Sequence, residues 1–125
     1  MASDPEDAEL APERVSELLA AGEAQVVDVR TPSEYEVGHV AGAEHIPFDE
    51  LPSRVTELDR SRPVVFYCRS GNHSASAAQA FAASGWDSSS MSGGLVGWAA
   101  KGLPLEPEDG QVASMSGLPE APASA

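Results

Sequence analysis

Cysteine is nearly absent from this chain: among 125 residues there is one, Cys68, so no disulfide can form within it. A lone thiol fits a reducing compartment. Long apolar runs are missing as well, and none approaches the roughly 18–20 residues that a membrane-spanning helix needs. The opening stretch MASDPEDAEL has neither a basic n-region nor an apolar h-region, so no signal peptide is expected and the default expectation is a cytoplasmic location. Basic residues are scarce, with 7 Lys and Arg against 20 Asp and Glu and a formal net charge of −13. That balance argues against nucleic acid or an anionic membrane as a partner. The histidines, His39, His45 and His73, stand at no compact ligand spacing to one another or to Cys68, so no metal site is expected. No internal repeat is visible.

What is present points to one soluble globular domain, since the length allows a single core and the chain is 42% hydrophobic and 22% charged. The acids concentrate at the ends. Residues 1–23 hold Asp4, Glu6, Asp7, Glu9, Glu13, Glu17 and Glu23 against Arg14 alone, and residues 106–125 hold acids without a base. Residues 1–9 therefore read as a flexible acidic arm, 10–107 as the domain, and the Pro-, Ser-, Ala- and Gly-rich 108–125 as a disordered tail.

Between the ends, helices alternate with strands. The spacing of Val15, Leu18 and Leu19 predicts a helix from Pro12 to Ala21, and Gln25–Val29 reads as a short buried strand. Thr31, Pro32 and Glu34 form a capping-box pattern that opens a short helix. A brief strand is expected around Glu44–Ile46, then an amphipathic helix with Leu51, Val55 and Leu58 inward. The run RPVVFYC is the strongest strand, continuous in the way that burial on both faces demands. An Ala-rich helix follows from Ser74 to Ser84. A strand near Ser89–Ser92 is expected by position, although serine replaces the usual β-branched residues, and LVGWAAKG reads as a last short helix. This alternation predicts an α/β fold, a small and mostly parallel five-stranded sheet with helices on both faces.

In such sheets reactive groups collect at the carboxyl ends of strands. Cys68 stands at one, where VVFYC gives way to Arg69-Ser70-Gly71-Asn72-His73. Small loop residues let successive N–H groups point inward, and the following helix aims its N-terminal donors at the same place. Such a cradle favours the thiolate, the nucleophilic form of cysteine. Arg69, and His73 when protonated, add positive charge at the rim. A small apolar cysteine capping a core strand is the bland alternative.

The chain from about Leu10 to Pro107 resembles the single-domain rhodaneses, the sulfurtransferase family. Three segments carry the likeness in order: VVDVRTPSEYEVGHVAGAEHIPF, VVFYCRSGNHSASAA and GGLVGWAAKGLPL. The resemblance implies that the Cys68 thiolate takes sulfur from a donor such as thiosulfate. It holds that sulfur as a persulfide among the backbone amides of residues 69–73, then passes it to cyanide in vitro or to a thiol or sulfur-acceptor protein. No cofactor is implied. It also implies that Asp28 and Arg30 sit beside the loop in a supporting role, with Arg30 paired to an acid such as Glu34. Ser74 shapes the loop, His39 holds its turn, and Trp86 and Trp98 pack.

Three positions depart from the family pattern: His73 stands where Arg is frequent, His45 where Asn is usual, and DSSSM is unusually polar. The same fold hosts dual-specificity phosphatases, but their Cys-x5-Arg spacing puts an arginine where this chain has Ser74, so phosphoryl transfer does not fit. A regulatory, redox-sensing or persulfide-carrier module acting on one protein partner is the remaining alternative, since an accessible activated thiol is also oxidisable.

Overall fold

The computed structural model describes residues 9–107 and 110–112. Its central sheet contains β1 (Glu9–Leu10), β2 (Gln25–Asp28), β4 (Glu44–His45), β5 (Val64–Tyr67) and β6 (Ser88–Met91). Their order across the sheet is β1-β6-β5-β2-β4, and every neighbouring pair is parallel. A separate antiparallel pair joins β3 (His39–Val40) to β7 (Leu105–Glu106). The α-helices are α1 (Pro12–Ala20), α2 (Pro32–Val37), α3 (Leu51–Arg54), α4 (Asn72–Ala83) and α5 (Gly94–Ala100), with 3-10 turns at Phe48–Glu50 and Val55–Glu57.

Strand periodicity splits the core into two layers. Val27, Val64 and Phe66 face one side, where Leu51, Leu58, Ala77, Ala78 and Trp86 cover them. Val26, Val65 and Tyr67 face the other, with Val15, Leu95 and Trp98 from α1 and α5. Both faces of β2 and β5 are thus buried, which is why β5 runs apolar without alternation and why the polar ends of β2, Gln25 and Asp28, are hydrogen-bonded. Among the described residues no helix is long and apolar enough to cross a membrane.

The serine-rich strand is real, and all four of its residues are buried. Its hydroxyls are paired rather than solvated. Ser88 Oγ donates to the Ala78 carbonyl at 2.6 Å, and Ser90 Oγ lies 2.8 Å from Ser74 Oγ. Both partners are on α4, so hydrogen bonds to that helix replace the packing that β-branched side chains would supply.

Several boundaries differ from expectation. Glu9, expected in the arm, pairs with Ser90 as part of β1. Within the expected tail, residues 110–112 meet the domain: Gln111 N–H donates to the Val37 carbonyl at 3.0 Å, and Val112 packs on the second core layer. The remainder of the expected arm and tail lies outside the described residues. The amphipathic segment after Pro47 is only a single α-helical stretch between two 3-10 turns, with Leu51 and Leu58 inward as expected.

Candidate active site

The register aligns Asp28 with both Tyr67 and His45, so β2, β4 and β5 end in one row. Just past that row, Val29 N–H donates to the Tyr67 carbonyl at 3.0 Å, keeping the two strand ends together as they enter their loops. Arg30 and Cys68 therefore emerge side by side at the carboxyl edge of the sheet.

Cys68 is 5% exposed and lines a pocket of about 560 Å³. Gly71 N–H donates to its Sγ at 3.0 Å. Gly71 is the N-cap of α4, and its φ of +120° bends the chain back onto the sulfur, a conformation that disfavours any residue with a Cβ. The first helical bond, Ala75 N–H to the Gly71 carbonyl at 3.0 Å, leaves the N–H groups of Asn72, His73 and Ser74 ahead of the hydrogen-bonded ladder. The expected loop of residues 69–73 is thus shorter than predicted. Asn72 and His73 already belong to α4, because Gly71 rather than the first serine caps the helix.

A second helix holds the loop from behind. Leu95 N–H donates to the Cys68 carbonyl at 2.9 Å, and Val96 N–H to the Arg69 carbonyl at 3.1 Å. The approach is close enough to require glycine: a Cβ on Gly94, whose φ is +57°, would lie 2.5 Å from the Arg69 carbonyl oxygen.

Ser74 is fully buried. Its Oγ lies 3.5 Å from Cys68 Sγ, 2.8 Å from Ser90 Oγ and 3.2 Å from the Gly71 carbonyl, to which it donates. A hydroxyl chain from β6 thus reaches the sulfur. The sequence signalled this only as the oddity of its serine strand.

Arg30, Thr31, Glu34, Asp49, Arg69, Ser70, Asn72 and His73 give the pocket both signs of charge, and Val29, Pro47 and Phe48 supply its apolar wall. Arg30 pairs with an acid, as the resemblance implied, but that acid is Asp28 and not Glu34. Arg30 Nη2 donates to Asp28 Oδ2 at 2.6 Å and to the Gly38 carbonyl at 2.7 Å, while Glu34 accepts the Thr31 hydroxyl at 2.9 Å. Asp28 wins because it lies on the same strand end and is sealed from water, whereas Glu34 is spent on the cap of α2. Burial opposes the charge on Arg30, but the Asp28 carboxylate outweighs it and the guanidinium is held above its ordinary pKa. Tyr67 completes the knot. Its hydroxyl donates to Asp28 Oδ2 at 2.7 Å and accepts the Val40 N–H at 2.9 Å. Burial, then the neighbouring Asp28 charge, raises its pKa well above 10.0.

The remaining candidates hold the frame. His45 Nε2 lies 2.8 Å from the Arg30 carbonyl, and His39 Nδ1 lies 2.9 Å from that of Tyr35. Both imidazoles stack on the Tyr35 ring, with centroids 4.4 and 3.7 Å away. Trp98 is buried and donates to the Pro104 carbonyl, and Trp86 packs edge-on to Phe81. Among the described residues no three His, Cys, Asp or Glu side chains gather as metal ligands would.

Comparison with known proteins agrees with this fold. The family model of the rhodanese-like domain matches residues 11–101. A sulfurtransferase of Allochromatium vinosum is 36% identical over 104 residues, covering 82% of this chain and 97% of that protein. The thiosulfate sulfurtransferase GlpE of Pseudomonas aeruginosa is 40% identical over 90 residues, covering 71% of this chain and 81% of the relative. Among solved structures, a rhodanese-related protein of Thermoplasma volcanium superimposes with a TM-score of 0.72 at 28% identity, over 78% of this chain and 95% of that one.

Proposed function

The chain belongs to the rhodanese-like domain family, and from that premise we propose that it is a sulfurtransferase carrying a sulfane sulfur on Cys68. One observation carries the reading: Cys68 Sγ faces a pocket while accepting the Gly71 N–H at 3.0 Å, at the N-terminus of a helix. Negative charge on sulfur is stabilised there by a fixed donor and by the helix dipole.

With thiosulfate as donor, the Cys68 thiolate attacks the outer sulfur. A new S–S bond forms at Cys68, the donor's S–S bond breaks, and sulfite leaves with the bonding pair. The persulfide's terminal sulfur then carries the charge. Arg69, Ser70, Asn72 and His73, which line the pocket, and Gly71, which bonds the thiol, supply the surroundings that hold the anion. Ser74 is a positioning residue: its hydroxyl donates to the Gly71 carbonyl and its Oγ lies 2.8 Å from Ser90 Oγ, so it ties the glycine that bonds the sulfur to the neighbouring strand. Asp28 and Arg30 keep the neighbouring strand end in place. An acceptor thiol or cyanide removes the outer sulfur and restores the thiolate, a double displacement that balances without cofactor or metal. A cytoplasmic setting, with its supply of thiols, suits such an exchange.

The test is intact mass spectrometry after incubation with thiosulfate. One added sulfur atom is expected on the wild type and none on Cys68→Ser; no addition on either overturns the proposal. Turnover with thiosulfate and cyanide then separates an enzyme from a carrier. Sulfur uptake without turnover supports the carrier, which hands its sulfur to one protein partner.

A further inference from the structure

A second hollow of about 550 Å³ adjoins the Cys68 pocket, and Phe48 and Asp49 line both. It lies between the turn that begins at Phe48, α3 and the outer face of α4. Its walls are mainly carbon, from Leu51, Val55, Ala80, Phe81 and Trp86. The charged groups at its margin, Asp49 and Arg60, are of opposite sign. Arg60 spreads over the Trp86 ring at 5.2 Å and donates to the Ser84 carbonyl, so it borders the hollow rather than filling it.

The junction between the two hollows is aromatic. Phe48 is 39% exposed, and its N–H is tied to the Val29 carbonyl at 2.9 Å, beside the active loop. Its ring stacks on His73, with centroids 5.1 Å apart and planes 28° off parallel. A flat ledge therefore runs from the cysteine pocket to the apolar hollow. A small inorganic anion has no use for the second space, and a charged group would lose its hydration there without an uncompensated partner. An uncharged apolar body gains by entering, and the volume is that of a small-molecule site.

We propose that this hollow binds the hydrocarbon body of the sulfur acceptor, and that the acceptor is an organic thiol with an uncharged apolar chain. The proposal rests on the persulfide reading above and narrows its substrate class. The thiol, R–SH, lies across Phe48 with its sulfur toward Cys68. Its sulfur bonds to the outer sulfur of Cys68–S–S⁻, and the Cys68 S–S bond breaks with its pair returning to Cys68. The thiol proton ends on Cys68, giving R–S–S⁻ and Cys68–SH, and no external oxidant or reductant takes part.

The experiment loads the full chain with thiosulfate, verifies the added sulfur by mass, and follows discharge by ethanethiol, butanethiol and hexanethiol. These thiols share their intrinsic reactivity and differ in apolar area. The second-order rate constant is expected to rise about fourfold per methylene that the hollow fully buries. Ala80→Trp, at an exposed position on α4 that lines the hollow, is expected to flatten the series and leave discharge by cyanide unchanged. Ala80→Glu, which adds charge instead of bulk, acts in the same direction. Equal rates for all thiols on the loaded wild type overturn this proposal alone, as does a series that survives both variants. A chain that takes up no sulfur overturns the persulfide reading and this proposal with it.

Discussion

Arg30 and Cys68 follow the ends of adjacent strands and are buried to nearly the same degree, 4% and 5% exposed. Their surroundings are opposite in kind. Around Arg30 most polar groups close on one another: Asp28 accepts from the guanidinium and from Tyr67, and Tyr67 accepts from Val40, while Arg30 Nη1 is buried without a hydrogen-bond partner. Around Cys68 the sulfur accepts the Gly71 N–H and lies 3.5 Å from the Ser74 hydroxyl, while the residue packs in the first core layer and lines the pocket on its other side. A closed network holds geometry because every change leaves something buried unpaired. On the proposed reading, the sulfur beside the pocket changes its covalent state with few polar partners that depend on that state. On that reading, the two regions divide structural support from chemistry.

Asp28→Ala should break the closed side most severely. It leaves a buried guanidinium without its anion, and a loss of about 3–5 kcal/mol is expected, read from urea unfolding. A stability change below 1 kcal/mol would show that the knot is incidental. Gly94→Ala comes next and reaches the open side through its support. The added Cβ must push back the Arg69 and Cys68 carbonyls, at about 2–3 kcal/mol for overpacking and the positive φ together. Sulfur uptake should also slow about a hundredfold, since the loop that aims Gly71 N–H is displaced. The time course of persulfide formation by mass checks it.

Tyr67→Phe removes one hydroxyl from the knot and orphans the Val40 N–H, a loss of about 1–2 kcal/mol near neutral pH. It also carries a pH signature. Tyr67 holds its proton more tightly in the folded chain than the ordinary 10.0, so the stabilisation is complete below about pH 10 and is lost as pH rises toward the folded value. Tyr35 shifts in the same direction, by burial and then by the Asp28 and Glu106 charges. The wild type should therefore lose stability in alkali more steeply than Tyr67→Phe, with a residual slope from Tyr35. Parallel unfolding profiles from pH 8 to 11 would contradict this. Cys68→Ser should change stability least, within about 1 kcal/mol, while abolishing sulfur uptake. That variant sharpens the contrast: function is lost where the fold barely registers the change.

Much of this was legible beforehand. The apolar run through Tyr67, with Cys68 at its end and glycine in the loop behind it, announced a buried parallel strand and a thiol beside a helix start. The Thr31–Glu34 cap could be read because its partners are local in sequence. Elements of only two residues, such as β3 and β7, have no period to read, and Glu9 and Leu10 become a strand only because β6 offers them an edge. The polar strand was placed by order alone. Its reason, hydroxyls paired across to α4, joins residues that are distant in the chain.

Sequence alone determined the alternation of strands and helices, the position of Cys68 at a strand end and the character of its loop, since each depends on backbone preferences within a few residues. Tertiary structure decided that Asp28 and not Glu34 neutralises Arg30, that Ser90 reaches Ser74, and that Phe48 joins two hollows. Those pairings follow from strand register and helix packing, which bring polar groups together out of water and compel each to find whichever partner lies within reach.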